Sequence, residues 1–303
     1  MTKTISSTMT SGYYLTGEAL VITELGGIAP SIPVAGVYAP GAATISNAGI
    51  ILAGGPQTAV YVRGGISLTN AGTIRGSSFG IYAGDNGAPG VIVNTGSIGA
   101  SSGLGSGIGL ARGGTVLNGG TITGTGFYGA ILFDGGTVSN DAGGLIAGNK
   151  SGLGFRLGAG TVTNFGSITA LPSAPTSPPL LPGAVALAAG GTVTNGTSYG
   201  SSALVSGWES GVYIKNVAAD VTNYGTIAGA EAGVRFSGAG GTVFNAGTIS
   251  GSIASVDFGA TGSVFLTLDG NWVLNGPVVN FRSDDLIVFR HQDLHDISYV
   301  DGA

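Results

Sequence analysis

The sequence predicts an all-β chain wound as a single-stranded, right-handed parallel β-helix (β-solenoid), with three short strands per coil and a coil length, counted in residues, of about 22–24. Three observations carry this expectation. A phrase of the form VxNxGxIxG recurs along the chain; an aliphatic residue stands two positions before every recurring Asn; and a further short apolar run precedes each phrase. No stretch carries a helical period of 3.6, and each apolar run alternates with period two between Gly or Asn punctuation.

The recurring residues are Asn47, Asn70, Asn94, Asn118, Asn140, Asn164, Asn195, Asn223 and Asn245, whose positions differ in turn by 23, 24, 24, 22, 24, 31, 28 and 22. Such a period marks a stack of coils, because a strand of a few residues cannot stand alone and must pair with its equivalent one coil away. The aliphatics two positions earlier are Ile45, Leu68, Ile92, Val116, Val138, Val162, Val193, Val221 and Val243, an inward column. Four positions after the Asn come Ile51, Ile74, Ile98, Ile122, Ile168, Ile227 and Ile249, with Tyr199 in one slot and a slipped Leu145-Ile146 pair in another. The third run appears as GVYA from Gly36, AVYV from Ala59, GIYA from Gly80, GAIL from Gly129, GVYI from Gly211 and GVRF from Gly233. Sixty glycines are expected at the corners, for positive φ or for close backbone approach. The ladder Asn is expected to tolerate a left-handed corner and to pass hydrogen bonds from coil to coil through its carboxamide.

Taken in order, residues 1–34 read as a cap plus a degenerate first coil, with Thr23 one period before Asn47. Residues 35–280 read as the solenoid. Its regularity breaks at 170–183, ALPSAPTSPPLLPG, where five of the eleven prolines exclude ladder donors and force a loop. A second excursion, 197–211, carries Trp208 and Glu209. The two loops come from adjacent coils, so Leu180, Leu181, Trp208 and Glu209 are the candidate contact residues, either as an exposed patch or as a small satellite core. Near the end Asp269 is expected in the Asn slot and Val273 in the Ile slot. Residues 281–303, which hold both histidines, read as a C-terminal cap of polar edge strands. Eleven phrase slots give a body about 50 Å long.

Composition narrows the function classes. Only 8% of residues are charged and the net charge is −5, so no basic stripe exists for nucleic acid. Cysteine is absent, which removes disulfides and thiolate metal sites. No window is free of Gly, Asn and Ser punctuation for the length of a spanning helix, so no membrane span is expected. The start, MTKTISSTMTSGYYLTG, has no apolar core of a cleaved signal peptide, so export is expected by another route.

No cofactor pattern is expected: GTGFYG from Gly124 matches a dinucleotide fingerprint in letters only and reads as a corner. His291, His295, Asp293 and Asp296 carry metal-ligating groups, but the i, i+4 histidine spacing chelates on a helix and this segment reads as strand and turn. Asp85, Arg112, Asp134, Arg156, Lys215 and Arg235 put no carboxylate pair in register of the kind that cleaves polysaccharide; Arg112 and Asp134 share an offset in adjacent coils and are expected to form a surface ion pair worth about 0–1 kcal/mol. Outward positions give Thr44 and Ser46, Ser67 and Thr69, Thr137 and Ser139, Thr161 and Thr163, and Thr192 and Thr194, a hydroxyl array suited to ice. Val91, Val93, Leu117, Asp220 and Phe244 interrupt it, and outward Thr also suits any strand.

The phrase, seen as TVTNFGSITA from Thr161 and TVFNAGTISG from Thr242, resembles the repeats of bacterial β-helical surface proteins, including autotransporter passengers and haemagglutinin-like adhesins, over roughly residues 35–280. The tail SDDLIVFRHQDLHDISYVDG is similar to C-terminal segments of type I secretion substrates, without a preceding GGxGxD calcium repeat. The resemblance implies an exported, non-enzymatic protein that adheres or builds biofilm matrix. The expected roles are therefore an adhesin-like rod or a self-assembling fibre subunit, extracellular or on the cell surface. Expected partners are further copies meeting through ends or faces, and a polysaccharide or host surface. A carbohydrate-binding or polysaccharide-cleaving solenoid is the alternative, and ice binding a lesser one.

Overall fold

The structure, a computed structural model, describes residues 1–171, 182–198, 201–259 and 261–290. It is a right-handed β-solenoid without helix among those residues, built of three parallel sheets of thirteen, twelve and twelve strands. Each coil contributes one strand to each sheet in turn. Twelve complete coils at about 4.8 Å each give a body about 58 Å long, one coil longer than the phrase count implies.

The first sheet holds the phrase strands, such as Ala43–Asn47, Ile66–Asn70 and Gly90–Asn94. Residues alternate in and out along each one, so the aliphatic and the Asn both face inward. Val162 pairs with Val193 across coils although their ladder residues, Asn164 and Asn195, stand 31 apart in sequence, and both valines are buried. The second sheet stacks Ile51, Ile74, Ile98, Ile122, Ile146 and Ile168 in one column, so Ile146 takes the slot at the Leu145-Ile146 pair. The third sheet stacks Val60, Ile81, Ile108, Ala130, Leu153, Val185, Val212 and Val234. Three inward columns close on one another as a single apolar core running through the coils.

Four expectations are corrected by register. Ile22, not Thr23, faces Asn47, and Leu268, not Asp269, faces Asn245. The slot is fully buried, so at the two ends of the ladder an aliphatic fills it where a lone carboxylate would be an unpaired charge. Leu274 rather than Val273 continues the Ile column. Val205 rather than Tyr199 faces Ile168 and Ile227, because residues 196–203 absorb the extra length before the strand Leu204–Gly207 begins; Tyr199 itself lies outside the described residues.

Of the cap and degenerate first coil expected at 1–34, the coil extends from Thr2 onward. Thr2–Ile5 pairs with Ala19–Ile22, Thr8–Met9 with Gly27–Ile28, and Tyr13–Tyr14 with Val37–Ala39, each as the first strands of its sheet. These strands pair in the same register without the Asn. At the other end Leu286–Arg290 is the thirteenth strand of the first sheet and pairs in parallel with Val264–Asp269. Residues 291–303 of the expected cap lie outside the described residues.

Glycine plays the part expected, and asparagine carries the expected hydrogen bonds from coil to coil but not from a left-handed corner. None of the nine ladder Asn has positive φ. Each ends a strand of the first sheet with its side chain buried. The Gly that follows the Asn by two residues serves close stacking: a Cβ on Gly72 would collide with the carbonyl oxygen of Gly49 in the preceding coil, and its φ is not in the left-handed region.

Candidate functional site

The nine ladder Asn form one continuous hydrogen-bonded line. Each Nδ2 donates to Oδ1 of the next, from Asn47 to Asn70 at 2.8 Å, Asn118 to Asn140 at 2.7 Å, Asn164 to Asn195 at 2.8 Å and so on to Asn245. At most positions the same Nδ2 also reaches a carbonyl of the following corner and one in the next coil, as Asn94 does with Gly96 and Thr121, both at 3.2 Å. Amides buried this deeply, with each Nδ2 committed to neighbouring carbonyl oxygens, are structural. Asn195, although it opens a glycosylation-like sequon, is wholly buried in this line.

The two insertions leave from different corners. Residues 171–182 join Ser167–Ala170 of the second sheet to Gly183–Leu187 of the third, whereas 196–203 join the first sheet to the second. Leu204–Gly207, expected inside the second loop, is a strand, and the expected strand at Gly211 begins one residue earlier, as Ser210–Lys215. Trp208 and Glu209 form the tight corner between them, one coil beyond the corner that carries 171–182, and are half-buried. Leu180 and Leu181 lie outside the described residues. Beside this corner, on the outer face of the third sheet, Ala186, Ala188 and Tyr213 form a small buried apolar cluster with Tyr128 against it.

Glu209 belongs to a charge cluster that the sequence reading passed over. Arg235 reaches Glu209 through Nη1 at 3.3 Å, Glu231 through Nη2 at 3.1 Å and Asp257 through Nε at 3.3 Å. Arg235 and Asp257 are register partners on the third sheet, while Glu209 and Glu231 occupy equivalent corners of successive coils. Burial pushes the Glu209 carboxyl above the usual carboxylate range, Glu231 adds to this, and Arg235 opposes it. Asp257 Oδ1 accepts from Asn280 Nδ2 at 2.7 Å and from the Gly259 amide at 3.0 Å. The guanidinium clamps three coils together. A sequence signal did exist: Glu209 stands as far before Asn223 as Glu231 stands before Asn245.

The expected Arg112–Asp134 pair is formed. Arg112 Nη1 lies 3.3 Å from Asp134 Oδ2, with both side chains well exposed. Among the described residues no group of three or more His, Asp or Glu is placed to hold a metal; His291, Asp293, His295 and Asp296 lie outside them. GTGFYG spans a corner between the strands Thr121–Gly124 and Tyr128–Leu132.

Two outer faces carry regular arrays. On the first sheet Thr137, Thr161 and Thr192 align, as do Ser139, Thr163 and Thr194, an unbroken block of three coils bounded by Leu117 on one side and Asp220 on the other. On the third sheet Tyr14, Tyr38, Tyr61 and Tyr82 are successive register partners. Their ring centroids are 5.5, 5.5 and 5.9 Å apart and adjacent rings are tilted by about 55°. Tyr14 is 57% exposed and the other three are half-buried. Tyr61 donates to Asp85 Oδ2 at 2.6 Å. Burial, reinforced by Asp85, pushes the Tyr82 phenol up to about 12. The row ends where Gly109 follows Tyr82, under the rings of Phe79 and Tyr82. Its signal in the sequence was the Tyr of GVYA, AVYV and GIYA, each between two inward residues.

No protein-family model, no curated protein and no solved structure matches the chain.

Proposed function

We propose that this protein is a non-enzymatic, extracellular structural protein, an adhesin-like rod that holds binding surfaces at fixed spacing along its flanks. The observation that carries this reading is the unbroken register of the inner columns through twelve coils, with the ladder Asn hydrogen-bonded from coil to coil. Such a body is long, thin and stiff, and its outer faces repeat. The tightest charge cluster among the described residues is consistent with the same role, since Arg235 neutralises part of the acid charge and ties successive coils.

Electron microscopy and sedimentation velocity on the full chain test the reading, together with retention on bacterial or host cell surfaces. A rod about 58 Å long that is retained on such surfaces supports it. A compact particle, or a rod retained on no surface and joined to no other copy, overturns it.

The Arg235 cluster favours a second reading, a polysaccharide-cleaving solenoid, because Glu209 keeps its proton to higher pH beside the carboxylates of Glu231 and Asp257. Turnover of a polysaccharide that disappears in Glu209→Gln and in Asp257→Asn would establish that reading in place of the first.

A further inference from the structure

The tyrosine row has the attributes of a contact surface. It is aromatic, outward-facing and continuous over four coils, on a chain with few charges. Tyrosine supplies a rigid apolar body and a polar tip at small entropic cost, which is why it dominates adaptable recognition surfaces. Among the described residues the hydroxyls of Tyr14 and Tyr38 make no hydrogen bond, whereas Tyr61 and Tyr82 are anchored by Asp85.

Periodicity selects the ligand's form. Equivalent rings recur once per coil, at about 4.8 Å along the axis. A single small molecule would use one or two rungs, whereas a linear polymer with a comparable step would use all four. Charge selects its class. Asp85 is bonded to the row at Tyr61, so a carboxylated or sulfated chain meets like charge there. Arg63 is the cation that acts on Tyr61, and it stands on the Asp85 side.

We propose that the Tyr14–Tyr38–Tyr61–Tyr82 row binds a neutral polysaccharide laid along the coil axis. Successive pyranose rings place their C–H faces over successive tyrosines, and sugar hydroxyls bond the Tyr14 and Tyr38 hydroxyls and the Asp85 carboxylate. This deepens the adhesin-like reading, on which it rests, by giving it a ligand class and a place.

Pull-down of the full chain on cellulose, chitin, insoluble β-1,3-glucan and immobilised alginate tests the proposal, comparing wild type with Tyr38→Thr/Tyr61→Thr. Thr keeps strand propensity while removing the rings. Thr163→Ala on the first sheet is the control. The expected result is retention of wild type on at least one neutral polymer, a loss of about tenfold or more in the double variant, and no change in the control. Nitration of wild-type tyrosines, with and without the retained polymer, gives a readout free of folding defects: Tyr14 and Tyr38 should be protected. No retention on any neutral polymer, preference for alginate, undiminished retention of a folded double variant, or unprotected Tyr14 and Tyr38 overturns the site. Loss of self-association in place of glycan retention assigns the row to a second copy and likewise overturns it. The rod reading fails separately, on particle shape and on retention by cell surfaces.

Discussion

Ile22 sits directly over Asn47 in the preceding coil, and the Asn47 Oδ1 that faces it is buried without a hydrogen-bond partner. From Asn70 to Asn245 that oxygen accepts from the Asn one coil earlier. The amide line therefore has a direction, with an unmet acceptor at one end.

This asymmetry ranks the ladder positions. Asn164→Ala removes one of three acceptors from Asn140 Nδ2, which keeps the Gly144 and Ser167 carbonyls, and leaves Asn195 Oδ1 as a new buried orphan at about 1–3 kcal/mol. Asn47→Ala removes one orphan while creating another on Asn70. Urea unfolding should find the central variant less stable than the terminal one by about 1–3 kcal/mol, and equal losses would contradict a continuous line.

Close stacking of corners makes a second contrast. In Gly72→Ala the new Cβ lies 2.7 Å from the carbonyl carbon of Ala48 as well as against the Gly49 oxygen, all backbone. Gly103→Ala meets nothing within 4 Å. The first should cost about 1–3 kcal/mol and the second close to none, by thermal denaturation of the two side by side.

Removing the clamp should couple stability to pH. In Arg235→Met the Glu209 carboxyl loses the charge that holds it down, and burial and Glu231 raise it further. A carboxyl whose folded pKa exceeds its unfolded value contributes stability below the unfolded pKa and loses it as pH rises through the folded one. The variant should therefore melt closer to wild type at about pH 4 than at about pH 7. A gap that is constant across that range, or wider in acid, would refute the assignment.

The Tyr82 phenol gives a readout in base. Its folded pKa of about 12 exceeds the ordinary value of 10.0, so it favours the folded state below about 10 and that contribution is lost as pH rises toward 12. Spectrophotometric titration should show a late-ionising tyrosine in wild type, and Asp85→Asn should move it earlier without abolishing the shift, since burial is the larger cause.

Much of this was legible in the sequence. The inner columns could be counted because each is read against a residue type that recurs, so Val162 and Val193 could be paired across the longest step in the series. The register slipped by one at Thr23 and Asp269 because polarity was used to find the slot. The slot itself is dry, and what fills it where the line stops is Ile22 or Leu268. The Arg235 cluster was hidden because its members come from corners and strands at different offsets, and a corner has no alternation to count. The tyrosine row was visible letter by letter, but its meaning depends on the outward face being shared, which only the strand pairing fixes.

The two insertions depart from different corners, and the amide line passes both with contacts of 2.8 and 2.9 Å. Length can therefore vary at a corner without disturbing the spine, whereas one residue added inside a strand would swing every later side chain of that strand to the opposite face. New loops are the easy experiments open to such a chain in evolution, and the strand interiors are its fixed grammar.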